Sequence, residues 1–485
     1  MKNVFLLTAL LSVLFFFSSC ESDNYNNGSY LDLSELNGTY DENYVDHGEN
    51  PFFKVSDQAV STFSVDADGG SYSNMRRFLY LGQRPPAASV RVEEYLNYFT
   101  YDYPEPASGE NVSLNAELAS CPWNTEHHLL RIGIKGKTIS VGELGNSNYV
   151  FLIDVSGSMN SPDKLGILKS GFKQMVDQLS DQDRVAIVTY AGAPAVLLTS
   201  TYGDEKAKIK AAIDKLGAGG STAGAAGIST AYEIAQENFI PNGNNRIILG
   251  TDGDFNVGLS STDELIELIE EKRESGIYLT VLGVGGGNLN DNMMEQIANN
   301  GNGNYEYIDN ATQIQKVFVH EKSKFYTVAK DCKLQLTFNI NMVDSFRLIG
   351  YENRVLSEED FENDSADAGE IGASQTITAL YQVSLKKTDA SESYANFDFR
   401  YKKPNETESR LMQLNIQPAP VSIANATENT RFAASVAGFG LLMKTSKYKG
   451  DLTKQMVLTL GTNATTYDPN NYRKEFIQLV TNLSE

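Results

Sequence analysis

The sequence predicts an α/β protein. A doubly wound, mostly parallel sheet lies at the centre of the chain, flanked by an α+β N-terminal segment and a C-terminal region of strands and terminal helices. Three observations carry the prediction. Between residues 147 and 326, short apolar runs such as "YVFLIDV", "RVAIVTYA" and "RIILGTDG" alternate with longer helical stretches, as strands buried on both faces of a parallel sheet require. After residue 327, "CKLQLTFNI", "FRLIGYENR", "QTITALYQVSLKK" and "ANFDFRYKK" alternate apolar and polar residues, the period of antiparallel strands with one wet face. The chain has 485 residues, more than one hydrophobic core organises, so it divides into domains.

Taken in order, residues 1–19 join Lys2 to an apolar run from Val4 to Phe17 and then to small residues, the pattern of a signal peptide. The run is shorter than the roughly 20 residues of a spanning helix, which favours cleavage. Cys20 directly after "FSS" resembles the lipobox of bacterial lipoproteins, which implies that this cysteine is acylated and becomes the first mature residue; the alternative is a plain secretory signal cut elsewhere. Residues 20–55 are polar and acidic with no sustained period and read as a flexible tether.

Residues 56–146 form an N-terminal region. In "GSYSNMRRFLYLGQ", Met75, Phe78, Leu79 and Leu81 recur at helical intervals, Val92, Tyr95, Leu96 and Phe99 mark a second helical face, and "HLLRIGIKGK" reads as a strand. Residues 147–326 hold the doubly wound sheet. Residues 327–485 hold the later strands and end in helical stretches such as "FAASVAGFGLLMKTS" and "RKEFIQLVTNL".

The formal charge of -22, from 62 acidic against 40 basic side chains, repels phosphate backbones, so nucleic acid is excluded as a partner. An acidic surface keeps a protein soluble outside the cell or attracts divalent cations. No segment after the signal is apolar enough to span a membrane, so the expected anchor is lipid on Cys20. The expected location is the bacterial cell envelope, at the outer membrane, facing either the periplasm or the outside. Cys121 and Cys332 remain, and in an oxidising compartment they are a candidate disulfide; the alternative is two buried free thiols.

Ligands of an open doubly wound sheet bind outside the carboxyl ends of its strands. In "FLIDVSGSMN", residues 151–160, a buried strand delivers Asp154, Ser156 and Ser158 to that edge, and the later loops "GGSTAG" and "GTDGD" bring Thr222 and Asp252. Oxygen donors without nitrogen or sulfur select hard cations, and hydroxyls with carboxylates suit Mg²⁺ or Mn²⁺ better than Ca²⁺.

The series "DVSGS", "GGST", "TDG", in this order on this strand pattern, resembles the metal-ion-dependent adhesion site of von Willebrand factor type A domains. The resemblance covers about residues 148–326 and implies a Rossmann-like fold. It also implies that Asp154, Ser156, Ser158, Thr222 and Asp252 are metal positions, the hydroxyls ligating directly and the aspartates partly through water. One coordination position stays open for the Asp or Glu of a protein ligand. Gly157 and Gly253 are expected to permit the turns, and Asp254 either supports the ligands or caps the loop. Residues 62–104 and the stretch from "FRLIGYENR" to "TALYQV" resemble the flanks of a bacterial lipoprotein subfamily. The chain departs from that resemblance at Cys332, where an aliphatic residue is expected.

The expected function is therefore a lipid-anchored envelope protein that binds a protein ligand through its cation. The alternatives are an envelope scaffold with a structural metal and a metal-dependent envelope enzyme. Enzyme motifs fall short. "GGSTA" has Ala223 where a nucleophile elbow needs Gly, and position 156 is Ser where a phosphotransferase would carry a second acid. "GVGGGN" ends in Asn288 where a dinucleotide loop needs Gly, and His47, His127, His128 and His320 lack zinc spacing. "VDADGG", with Asp66 and Asp68, starts like a calcium loop but has no distal Glu, and "DFENDSADAGE" has Ser365 where an EF-hand needs Gly; both read as solvated turns.

Overall fold

A computed structural model describes residues 42–191, 193–219, 224–253 and 262–483. The segment expected to be a signal peptide, Cys20, Thr222 and Asp254 lie outside the described residues. The strands in chain order are β1 (Phe53–Lys54), β2 (Val60–Ser64), β3 (Val112–Ser120), β4 (His128–Gly136), β5 (Ser147–Asp154), β6 (Arg184–Ala191), β7 (Ala193–Tyr202) and β8 (Asn244–Thr251). They continue with β9 (Tyr278–Val284), β10 (Tyr305–Ile308), β11 (Thr327–Phe338), β12 (Val343–Ile349), β13 (Ile371–Gly372), β14 (Thr376–Leu385), β15 (Ala395–Lys402) and β16 (Arg410–Ile416).

The central sheet runs β10-β9-β8-β5-β6-β7. All its neighbours are parallel except β7, an antiparallel edge hairpinned onto β6. Every residue of β5 and β8 is buried, because helices cover both faces. Side chains alternate across a strand, and β5 shows the consequence. Tyr149, Phe151 and Ile153 pack with Leu168, Phe172, Ile209 and Ile314, whereas Val150 and Leu152 pack with Ile228, Ala231, Ile269 and Ile297.

The flanks depart from the expected division. The N-terminal region and the C-terminal domain share their sheets: one runs β1-β12-β14-β4-β3, the other β13-β11-β15-β16, with β2 also paired to β11. β14 takes its two neighbours from opposite ends of the chain, β12 on one side and β4 on the other, so residues 56–146 and 327–485 form one two-sheet body. The part of the expected tether that is described departs from the expectation. Phe53 pairs with Phe346 across β1 and β12, and Glu42 bonds Arg77 at 2.8 Å, so residues 42–55 are docked.

The one-wet-face expectation holds for β16, where most residues are at least partly exposed, and fails for β14, buried over eight consecutive residues. The reason is a third layer. Ile132, Ile134, Ile377 and Tyr381 face the other sheet through Leu334, Leu336 and Phe399. Leu129 and Leu380 face helices Val92–Asn97, Glu428–Met443, Lys454–Thr462 and Tyr472–Thr481 through Tyr95, Phe432, Val457 and Phe476. The expected helical face of Val92, Tyr95, Leu96 and Phe99 is buried, but Leu81, just past the helix Gly70–Tyr80, is 50% exposed.

The same layering corrects the candidate disulfide. Cys332 belongs to the core between the sheets and Cys121 to the helical core on the opposite face, and both are free thiols. Burial pushes Cys121 up to about 12 and Cys332 well above its ordinary value, so neither is a ready thiolate.

Buried ion pairs join the two-sheet body to the α/β domain. Arg76, on helix Gly70–Tyr80 and fully buried, holds Asp309 at 2.6 and 2.7 Å, Tyr98 at 2.9 Å and Gln313 at 3.1 Å. Arg91 holds Asp291 at 2.5 Å, and Arg354 Nη2 donates to Asn299 Oδ1 at 2.9 Å and lies 3.7 Å from Glu295 Oε1. Removing one partner of such a pair strands the other charge. Arg76→Ala is expected to lower the unfolding free energy by about 3–5 kcal/mol in urea titrations. Glu93, 1% exposed, is pushed from 4.5 up to about 8, chiefly by burial and then by Glu352 and Asp66. Its contribution to stability is full below pH 4.5 and is lost as pH climbs through 8. Glu93→Gln should therefore raise the melting temperature relative to the parent more at pH 8 than at pH 5, as read by calorimetry.

Candidate functional site

β5 and β8 end side by side at the carboxyl edge of the central sheet, and each hands a carboxylate to the loop that follows. Asp154, the last residue of β5, is 0% exposed. The Ser156 backbone N–H donates to its Oδ1 at 2.8 Å and the Thr251 hydroxyl donates to its Oδ2 at 3.2 Å. Tyr190 stands next to it in register on β6. Ser156 is extended and buried, and from it the chain enters the turn Gly157–Met159, which returns the exposed Ser158 beside it: the two hydroxyl oxygens are 3.0 Å apart.

Asp252 follows β8 and is 0% exposed. Its Oδ2 accepts from Lys164 Nζ at 2.9 Å and from Asn288 Nδ2 at 3.2 Å, and Lys164 also donates to Asn288 Oδ1 at 2.8 Å. Gly253 has φ +91°, and a Cβ there would lie 2.7 Å from the Asn290 nitrogen, so this position requires glycine. Gly157 is not among the positive-φ residues and opens the single turn Gly157–Met159. The Gly219 N–H donates to the Val155 carbonyl at 2.8 Å, which brings the approach to the "GGST" loop against the end of β5; Thr222 itself is outside the described residues.

The structure thus places Asp154, Ser156, Ser158 and Asp252 at one sheet edge. Burial pushes the Asp154 carboxyl up to about 6; the Ser156 and Thr251 hydrogen bonds oppose the shift and the Asp252 charge adds to it. The residues present suit a hard cation. All the donors are oxygens, and the 3.0 Å between the serine hydroxyls is the spacing of adjacent octahedral ligands at about 2.1 Å from Mg²⁺. Sequence reasoning missed Lys164, Thr251 and Asn288. Only 7% of Lys164 is exposed, and its partner Asp252 is 88 residues away, so no local pattern marks it. Asn288 is the residue that breaks the dinucleotide fingerprint.

The histidines are elsewhere. His47 is exposed, His127 meets Gln382 at 2.8 Å and His320 meets the Tyr472 hydroxyl at 2.8 Å. The reading of "VDADGG" as a solvated turn is overturned: Asp66 and Asp68 are 1% and 2% exposed and face Arg354.

Comparison with known proteins gives three family matches: von Willebrand factor type A domain over residues 148–320, von Willebrand factor over 38–131, and "Uncharacterized protein YfbK, C-terminal" over 323–485. The chain is similar to the uncharacterized protein YfbK of Escherichia coli (strain K12), with 42% identity over 463 residues, covering 90% of this chain and 80% of that one. Among solved structures, a von Willebrand factor type A protein from Catenulispora acidiphila aligns with 80% of this chain and 92% of its own at 15% identity and TM-score 0.47. BatB from Bacteroides thetaiotaomicron aligns with 37% of this chain and 98% of its own at 25% identity and TM-score 0.31.

Lys164→Met, which leaves Asp252 buried without its ammonium, is expected to cost about 3 kcal/mol of stability in chelator. Adding Asp252→Asn should recover most of the loss, as measured by a double-mutant cycle in urea.

Proposed function

The chain belongs to the family of the Escherichia coli protein YfbK and carries a von Willebrand factor type A domain, and from that premise we propose that it binds a protein ligand through a divalent cation at the carboxyl edge of β5 and β8. The observation that carries this reading is the gathering of Asp154, Ser156, Ser158 and Asp252 at one sheet edge. Thr222, expected from the resemblance, completes the set in this proposal.

A bound Mg²⁺ or Mn²⁺ would supply an electrophilic position that a partner's Asp or Glu can occupy. The chain's own residues shape that position. Two neutral hydroxyls ligate without cancelling the cation's charge. Asp154 is held by the Ser156 N–H and Thr251, which orients it. Lys164 shares the charge of Asp252, so less of that charge is spent on the metal. In this reading Cys20 carries the lipid, and the chain is held at the outer membrane of a bacterial envelope with the residues after Cys20 as the spacer. A scaffold role, with a structural metal, is the second reading; the sheets shared between the two ends of the chain favour it.

Pull-downs from an envelope extract separate the two. The purified chain in Mg²⁺ should recover a partner at least about tenfold better than the same chain in chelator or the Asp154→Ala chain in Mg²⁺. Equal recovery in all three sinks cation-mediated binding and favours the scaffold.

A further inference from the structure

A second group of oxygens lies at the seam between the α/β domain and the two-sheet body. Carboxylate oxygens of Asp66, Glu94 and Glu295 are all within 4.8 Å of one another, twice a calcium–oxygen distance of about 2.4 Å. They come from three places: the segment after β2, helix Val92–Asn97, and helix Asp291–Asn300 of the α/β domain. All three are at most 4% exposed.

The charges around them do not balance. Among the described residues, Asp66, Asp68, Glu94, Asp291 and Glu295 face two guanidiniums, those of Arg91 and Arg354. Lys324 also acts on Asp68 but is spent on Glu306. Independently of the cluster, Asp68 Oδ2 is buried with no hydrogen-bond partner among the described residues, and its opposite charge, Arg354 Nη2, is 3.6 Å away. That same Nη2 is 3.7 Å from Glu295 Oε1, which places Asp68 at the rim of the cluster. Asn353 donates to Glu295 Oε1 at 2.5 Å, yet its own buried Oδ1 has no hydrogen-bond partner among the described residues. Unmet oxygens in a buried, net-negative seam call for a cation.

We propose that Asp66, Glu94 and Glu295, with Asp68 beside them, bind a second divalent cation that ties the α/β domain to the two-sheet body. Carboxylates dominate this site where hydroxyls dominate the first, so Ca²⁺ is the preferred ion. The existing hydrogen bonds leave room for it. Asp66 accepts from Arg354 and the Asp68 N–H, and Glu94 from Arg91 and the Ser71 N–H; each carboxylate oxygen keeps a further lone pair. A cavity of about 140 Å³ lined by Asp66, Asp68, Asn353 and Arg354 reaches the Asp66 side of the group.

The test uses the full chain with Asp154→Ala and Ser156→Ala, so that the first site is removed whatever its role. Elemental analysis and Ca²⁺ calorimetry should find one equivalent, and about 1 mM Ca²⁺ should raise the melting temperature of the chelated chain by about 3 °C. Adding Glu295→Gln, or Asp68→Asn if the first does not fold, should weaken Ca²⁺ binding at least tenfold and abolish the thermal shift. No bound ion, no heat and no shift with Ca²⁺, Mn²⁺ or Mg²⁺ in a chain of native circular dichroism overturns the proposal and leaves protons as the balancing charge. Binding unchanged by both substitutions overturns it as well.

Discussion

A guanidinium that has left water must find carboxylates within hydrogen-bond reach, and in this protein that requirement sets how the α/β domain sits on the rest of the chain. Arg76 and Arg91 are held on segments of the two-sheet body and Arg354 follows β12, while Asp309, Asp291 and Glu295 are held by the α/β domain. Apolar contact alone is non-directional. Paired, buried charges tolerate few arrangements because a shifted pair leaves both ions desolvated. The seam therefore fixes one docking of the domain and leaves Gly157 and Ser158, in the loop after β5, exposed.

The two oxygen clusters follow opposite chemical rules. At the β5–β8 edge, Asp154 is satisfied by the Ser156 N–H and Thr251, Asp252 by Lys164 and Asn288, and the remaining donors are neutral hydroxyls. Little negative charge is left over, as the proposed partner-binding cation requires. At the seam, carboxylates outnumber guanidiniums, which suits an ion held for structure. Helix Asp291–Asn300 touches both settings: Asn290, its cap, sits against Gly253 beside the first cluster, and Glu295 belongs to the second.

The departures from expectation share one cause. "VDADGG" carries two aspartates and two glycines, the composition of a wet turn, yet Arg354, nearly three hundred residues away, draws Asp66 inside. Cys121 and Cys332 are separated by a sheet assembled from both ends of the chain. β14 reads as half-wet because nothing in its own sequence announces the helices Glu428–Met443 and Tyr472–Thr481 that cover its second face.

What the sequence by itself determined is what depends on near neighbours. The apolar runs and helical intervals of residues 147–326 specify a doubly wound sheet, and "DVSGS" at the end of a buried strand marks its carboxyl edge, because backbone period and turn chemistry act over a few residues. Only the tertiary structure decided the sharing of sheets by the two ends of the chain, the separation of the thiols, and the placing of Lys164 on Asp252 and of Glu295 beside Asp66 and Glu94. Those outcomes turn on which buried charges and strand edges can satisfy one another across hundreds of residues, and pairing at that range leaves no period in the sequence.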